Sequence, residues 1–592
     1  FSQGSLHTTP VYQRDALPVG SHIVGPAIIC DANGTTVIEP EWQLRVMPAG
    51  EFLLTRAVAR AQRFAIGTEV DPVMLEIFNN LFMAVAEQMG ATLGNTAFSV
   101  NIKERLDYSC AIFDQQGNLI ANAPHMPVHL GSMGESIRTV MERNAGQMRP
   151  GDSYVLNDPY NGGTHLPDIT VVTPVFDEQG QKILFYVASR GHHADVGGIT
   201  PGSMPPMSKT IIEEGVLIDN FKLVENGRMR EQALRELLSK GPYPARNPDQ
   251  NIADLHAQLA ANEKGVQELR RMVRTYGLEV VHAYMQHVQD NAEEAVRQVI
   301  GVLNDGHFKY ELDNGAHIEV TVRVNHQERS AEIDFTGTSA QLEDNYNAPS
   351  AVCMAAVLYV FRTLVNDDIP MNAGCLKPLK VIIPKGCMLN PHYPAATVAG
   401  NVETSQCITD ALYGALGVMA AAQGTMNNFT FGNDRYQYYE TIAGGSGAGF
   451  EYRADGRIHY FHGTDVVQTH MTNSRLTDPE VLEWRYPVLL EEFSIRAGSG
   501  GRGRMRGGNG ATRKLRFLAP MTAAILANRR RVPPFGLAGG ASGQPGENYV
   551  VRRDGTRIEL AATGTVDMQA GDVFVIHTPG GGGFGAVDEE QS

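Results

Sequence analysis

Apolar residues recur at steps of three and four after Asp71: Leu75, Phe78, Phe82, Val85 and Met89 share one helical face. Asp71-Pro72 supplies the start, an N-cap carboxylate followed by proline at a position whose amide has no helical partner. A second helical region spans residues 252–296, with Ile252, Leu255, Leu259, Val266, Leu269 and Val273 on one face and Gly277 ending its first helix. The apolar runs 169–176 and 183–189 are of strand length, and the turn 177–180 between them predicts a hairpin that delivers its flanking polar residues to one sheet edge. Further strands are expected at 318–324, 331–335 and 379–384, and a further helix at 408–422. Upstream, short runs at 22–30, 35–38, 44–47 and 52–54 alternate with Pro and Gly turns and predict a small β-rich unit. The reading is therefore a mixed α/β (α+β) chain, with a β-rich unit over 1–66 and a larger region over 67–592. No repeat of fixed period points to a solenoid or propeller.

Composition narrows the class of partner. The chain has 592 residues and a net charge of −16, which argues against a nucleic-acid backbone as ligand, including for the short glycine- and arginine-rich tract 500–510. The longest apolar stretch, 351–361, is about half a membrane span and is followed by Arg362, so no membrane association is expected. Six cysteines without a C-x-x-C pair suit a reducing cytoplasm rather than a disulfide framework or zinc knot. Nothing at Phe1 marks secretion, and the absence of an initial Met suggests that a segment precedes it.

Metal-capable side chains crowd into 107–195: Asp107 in ERLDYSC, His125 and His129 in APHMPVHLG, His165 and Asp168 in GGTHLPD, and His192, His193 and Asp195 in RGHHADVGG. Imidazole with carboxylate suits Zn, Mn or Fe, and a catalytic site needs three or four such ligands with one position left for water. His165 and Asp168 can turn toward one ion. Adjacent residues on an extended strand face opposite ways, so only one of His192 and His193 reaches the same ion. The predicted hairpin brings the two His-bearing loops together.

Other motifs carry less. The glycine-rich segments 444–449, 498–510 and 580–585 lack the strand-loop-helix context of a phosphate cradle and read as loops that let backbone approach a substrate or a partner subunit. Ser446 is not in a G-x-S-x-G elbow, and Cys407 at the start of an apolar helix is more simply a buried thiol.

The segments NIKERLDYSCAIFD, NDPYNGGTHLPDITVVTPVF, RGHHADVGGITPGSMPP, GNVETSQ, YYETIAGGSGAG and THMTNSRLTDPEVLE closely resemble the B-type half of the hydantoinase, oxoprolinase and acetone carboxylase family. Residues 11–56 resemble the tail of that family's A-type, ATP-binding half, an arrangement found in fused 5-oxoprolinases. The resemblance implies a multi-layered hydantoinase B-type fold and the hydrolytic part of an ATP-dependent ring-opening enzyme. The A-type half would phosphorylate the lactam oxygen of 5-oxoproline using ATP and Mg, and water would then open the ring to glutamate here. It further implies a divalent metal held by Asp107, His165, Asp168 and His192. On chemical grounds alone, a neighbouring acid or base, His193 or Asp195, is expected to handle the proton passed to the ring nitrogen. This chain alone would bind no nucleotide and would act only with its ATP-binding partner, as a homo-oligomer. A hydantoinase or ketone carboxylase subunit, or a noncatalytic scaffold, are the competing readings.

Overall fold

The computed structural model describes residues 6–58, 71–366, 369–452 and 457–587. It divides into two compact units, 1–64 and 65–592; the boundary expected between 66 and 67 falls outside the described residues. In the first unit, Val11–Gln13, Ala27–Asp31 and Gly34–Ile38 form one three-stranded sheet. His22–Val24, Trp42–Val46 and Phe52–Arg56 form another. Ile23, Ile29, Ile38 and Leu44 fill its core. The run expected at 22–30 is two strands rather than one, because Gly25-Pro26 interrupts it and the halves pair with different partners.

The second unit is built around a seven-stranded sheet. Its strands in chain order are β1 (Tyr108–Phe113), β2 (Leu119–Asn122), β3 (Ser153–Leu156), β4 (Asp168–Phe176), β5 (Ile183–His192), β6 (Phe221–Glu225) and β7 (Arg228–Met229). Their order across the sheet is β7-β6-β3-β4-β5-β1-β2. Both faces are covered, so every residue of β1 is buried. Cys110 and Ile112 pack toward α1 (Pro72–Thr96), α3 (Pro248–Tyr276) and α4 (Leu278–Ile300). Ala111 and Phe113 pack toward α2 (Pro127–Arg143). Asp71 caps α1 as the sequence predicts, accepting from the Val73 amide at 2.9 Å.

A second core joins the sheet formed by Gly306–Glu311, His317–Asn325, Ser330–Asp334 and Leu379–Ile382 to the helices Ser350–Thr363 and Ser405–Leu416. The helix expected over 408–422 ends at Leu416, where Gly417 turns left-handed at φ 71°. Among the described residues, three further antiparallel sheets, containing Asn428–Gly432, Gly510–Phe517 and the two-stranded pair Gly449–Tyr452 and Ile458–Phe461, lie in the C-terminal region.

The glycine-rich segments behave differently from the expectation. They pack on one another, backbone against backbone. The Gly581 amide donates to the Gly508 carbonyl at 2.9 Å, the Gly508 amide to the Ser446 carbonyl at 2.9 Å, and the Gly501 amide to the Gly581 carbonyl at 2.8 Å. A Cβ on Gly508 would lie 2.0 Å from the Thr464 carbonyl oxygen, and one on Gly507 2.1 Å from that of Gly581. These glycines admit close backbone neighbours of the same chain, many of them in the other glycine-rich segments.

Candidate metal centre

The hairpin of β4 and β5 sets the site. Its antiparallel register places Asp168 opposite His192, and the next pairing sets Gly191 opposite Tyr108 on β1. The amide of His192 also donates to the Asp107 carbonyl at 3.0 Å. Strand pairing thus brings Asp168 at the start of β4, His192 at the end of β5 and Asp107 just before β1 together at one end of three neighbouring strands.

Asp168 is the hub. It is fully buried, and its two oxygens have different environments. Oδ2 accepts from Thr164 Oγ1 at 3.0 Å and Asn401 Nδ2 at 2.9 Å, and lies 3.1 Å from His129 Nε2. Oδ1 lies 3.1 Å from His165 Nε2 and 3.2 Å from His192 Nδ1. Those two approaches lack hydrogen-bond geometry, because Oδ1 and both ring nitrogens of His165 are buried without a hydrogen-bond partner. Buried polar atoms that converge without bonding one another are costly unless a further group satisfies them. His165, Asp168 and His192 offer donor atoms all within 4.8 Å of one another, which fits one divalent ion. Burial opposes charge on Asp168, but His129 and His165 facing it hold its carboxyl well below the usual range. Burial lowers the His192 pKa, favouring the neutral imidazole that a metal takes as ligand.

Asp107 borders this cluster. It lines a small cavity with His129, His192 and Tyr439, 3.7 Å from the guanidinium of the fully buried Arg105. Leu106, just before it, is left-handed at φ 54°, a conformation that costs energy and sets the course of the chain into Asp107. His192 stacks on Tyr439 with ring centroids 4.6 Å apart, and Arg105 lies over the same ring at 4.7 Å.

His193 and Asp195 stand apart from this cluster. His193 takes the opposite face of the chain, where Nε2 meets Gln258 Oε1 at 3.0 Å and Nδ1 meets Asn251 Nδ2 at 3.1 Å, both on α3. Asp195 accepts from the Gly197, Gly202 and Arg246 amides and pairs with the Arg246 guanidinium at 2.8 Å. Neither lines the cavity beside His192, so the structure does not bring the two residues expected to handle the proton to the metal-capable cluster. Conversely, His129, which the sequence marks only as metal-capable, and Asn401, which has no local signal in the sequence, grip Asp168.

Two buried carboxyls were also not anticipated. Burial pushes Glu214 up to about 7 and Glu403 up to about 8. Glu403 accepts from the Met426 amide at 2.9 Å and from Asn428 Nδ2 at 2.6 Å, and Asn428 in turn accepts from the Tyr439 hydroxyl at 2.8 Å. Between the unfolded value near 4.5 and the folded value of about 8, the native state holds a proton that the unfolded chain releases. Stability therefore falls as pH rises through that window. Glu403→Gln is expected to make the fall shallower, read as urea midpoints at about pH 5 and about pH 8. Equal slopes in both proteins would show that Glu403 is ionised when folded.

Residues 71–587 match the family model described as hydantoinase B/oxoprolinase. The chain belongs to the hydantoinase B/oxoprolinase family. Among its relatives are 5-oxoprolinase 1 of Arabidopsis thaliana, 46% identical over 99% of this chain and 47% of that protein, and 5-oxoprolinase of Dictyostelium discoideum, 43% identical over 98% and 45%. The chain spans about half the length of these relatives. The same fold occurs in the ATP-dependent caprolactamase from Pseudomonas jessenii, with a TM-score of 0.77 and 24% identity, covering 88% of this chain and 92% of that one. The mixed α/β hydantoinase B-type architecture expected from sequence is the one observed. Among the described residues, no helix is long and apolar enough to cross a membrane.

Proposed function

We propose that this chain is the hydrolytic part of an ATP-dependent 5-oxoprolinase, opening 5-oxo-L-proline to L-glutamate after an ATP-binding half has phosphorylated the lactam oxygen. The observation that carries the reading is the Asp168 cluster, with its unbonded ring nitrogens, in a chain 46% identical to 5-oxoprolinase 1. An unactivated lactam is a poor electrophile, whereas the O-phosphorylated species has a good leaving group. His165, Asp168 and His192 would hold one divalent ion (Zn, Mn or Fe), while Asp107, outside that group of three, lines the adjoining cavity with His192. Such an ion lowers the pKa of water toward about 7 and so supplies a nucleophile at neutral pH. Asn401, Thr164 and His129 fix Asp168, and burial keeps His192 neutral. Of the titratable groups lining the cavity, Asp107 is the one placed to move a proton. Residues 11–56 belong, in this reading, to the end of the ATP-binding half. The six unpaired cysteines suit the cytoplasm.

The test has two parts. The purified chain should hold about one divalent metal ion. Joined to its ATP-binding half, it should couple ATP use to 5-oxoproline rather than to hydantoins or to acetone with bicarbonate. A metal-free chain that still supports full ring opening refutes the metal centre. ATP use driven by another substrate assigns the chain to another branch of the family.

A further inference from the structure

A second cavity, of about 520 Å³, adjoins the one at the metal centre. Met126 lines both, and the chain passes from one wall to the other at Leu106-Asp107 and at Thr472-Asn473. Its apolar wall includes Leu106, Pro124, Val467 and Phe493, and its polar side carries Gln468, Asn473 and Arg475. No aspartate or glutamate lines it. The one other ionisable group of basic type there, His125, is held neutral at a pKa of about 4 by burial and by His129.

Arg475 is therefore an uncompensated cation. Its backbone amide is tied to the Arg105 carbonyl at 2.8 Å, which anchors it beside the turn that carries Asp107 into β1. Its guanidinium, among the described residues, makes no hydrogen bond or ion pair, and only an electrostatic contact with Tyr108. The larger cavity elsewhere in the unit is the opposite case: five carboxylates, including Asp313 and Glu559, face three cations. The segment leading to Arg475 is also held under strain, with Val466 at φ 47° and His470 at φ 55°. Left-handed backbone at a β-branched residue is kept where the surroundings demand it, commonly at functional sites.

We infer that this cavity is the substrate vestibule of the metal centre and that Arg475 binds the ring carboxylate of the lactam acid, fixing specificity for an acidic over a neutral lactam. The inference rests on the proposed function. A carboxylate matches the guanidinium fork and carries one charge for one cation, and the apolar wall suits the methylene side of a small ring. A phosphoryl group carries nearly two charges and would call for a second cation that the cavity lacks.

The test uses the complete enzyme, comparing wild type with Arg475→Gln and Arg475→Lys. Arg475→Gln is expected to lower glutamate formed per ATP consumed and to weaken L-glutamate product inhibition by roughly tenfold to hundredfold, with Arg475→Lys recovering part of both. Inhibition by inorganic phosphate should not change. Because the side chain is exposed and unpartnered, melting temperatures should match wild type. A coupled Arg475→Gln enzyme with unaltered glutamate inhibition refutes the vestibule assignment alone. Loss of phosphate inhibition with glutamate inhibition intact refutes the carboxylate and points to the phosphoryl group. A wild-type enzyme that forms no glutamate refutes the proposed function and this assignment together.

Discussion

Replacing His165 with alanine is expected to strip the metal from the chain and to separate ATP consumption from ring opening. His165 is wholly buried, with both ring nitrogens unbonded and Nε2 directed at Asp168 Oδ1, so its imidazole has no evident structural employment. Outer partners of metal ligands typically contribute tenfold to hundredfold in affinity or activity, and loss of a ligand should exceed about hundredfold. Asp168→Asn keeps the shape but removes the charge and presents an amide where two imidazoles converge; it should be comparably severe. Asn401→Ala removes only one of the hydrogen bonds that anchor Oδ2, and the expected loss is the smaller tenfold to hundredfold. In the complete enzyme all three should continue to consume ATP while forming less glutamate. Metal analysis and the glutamate-to-ATP ratio read these together, and full metal content with normal coupling in both His165→Ala and Asp168→Asn makes the cluster structural.

The hairpin was the most legible part of this site. Two apolar runs joined by a short turn can pair in few ways, and the pairing that buries them sets Asp168 against His192. The same local rule separates His192 from His193, since neighbours on a strand face opposite sides of the sheet. What each of those faces meets is not local. His193 finds Gln258 and Asn251 because α3 crosses behind the sheet, a contact 58 to 65 residues away in sequence. His129 and His125 share one motif, yet the fold turns the first toward Asp168 and gives the second to the Cys110 amide. Asn401 lies 233 residues from Asp168, beyond any spacing rule. Helices with a single apolar face and a clear cap were likewise readable, whereas the end of the Ser405–Leu416 helix was masked by apolar residues that stay buried after the chain stops being helical.

The glycine-rich segments show the limit of local reading most sharply, and Gly581→Ala is expected to be strongly destabilising. A phosphate cradle and a tight backbone contact both call for glycine, so composition alone identifies neither; the partner strand decides. At Gly581 an added Cβ would sit 1.9 Å from the Ser446 carbonyl oxygen and 2.4 Å from its carbon. Both are backbone atoms, and Ser446 is itself tied in by the Gly508 amide at 2.9 Å, so no flexible side chain is there to yield. Overpacking usually costs about 1–3 kcal/mol, and a clash with fixed backbone belongs at or above the top of that range, about 3 kcal/mol or more. Gly134→Ala is the matched control. It lies within α2, where the nearest atom to an added Cβ is the end of the Arg138 side chain at 3.7 Å, so alanine should be neutral or stabilise by up to about 1 kcal/mol. Denaturant midpoints of the two variants should therefore move in opposite directions or differ widely. Equal midpoints would mean that the glycine layers yield readily and do not hold the C-terminal region together.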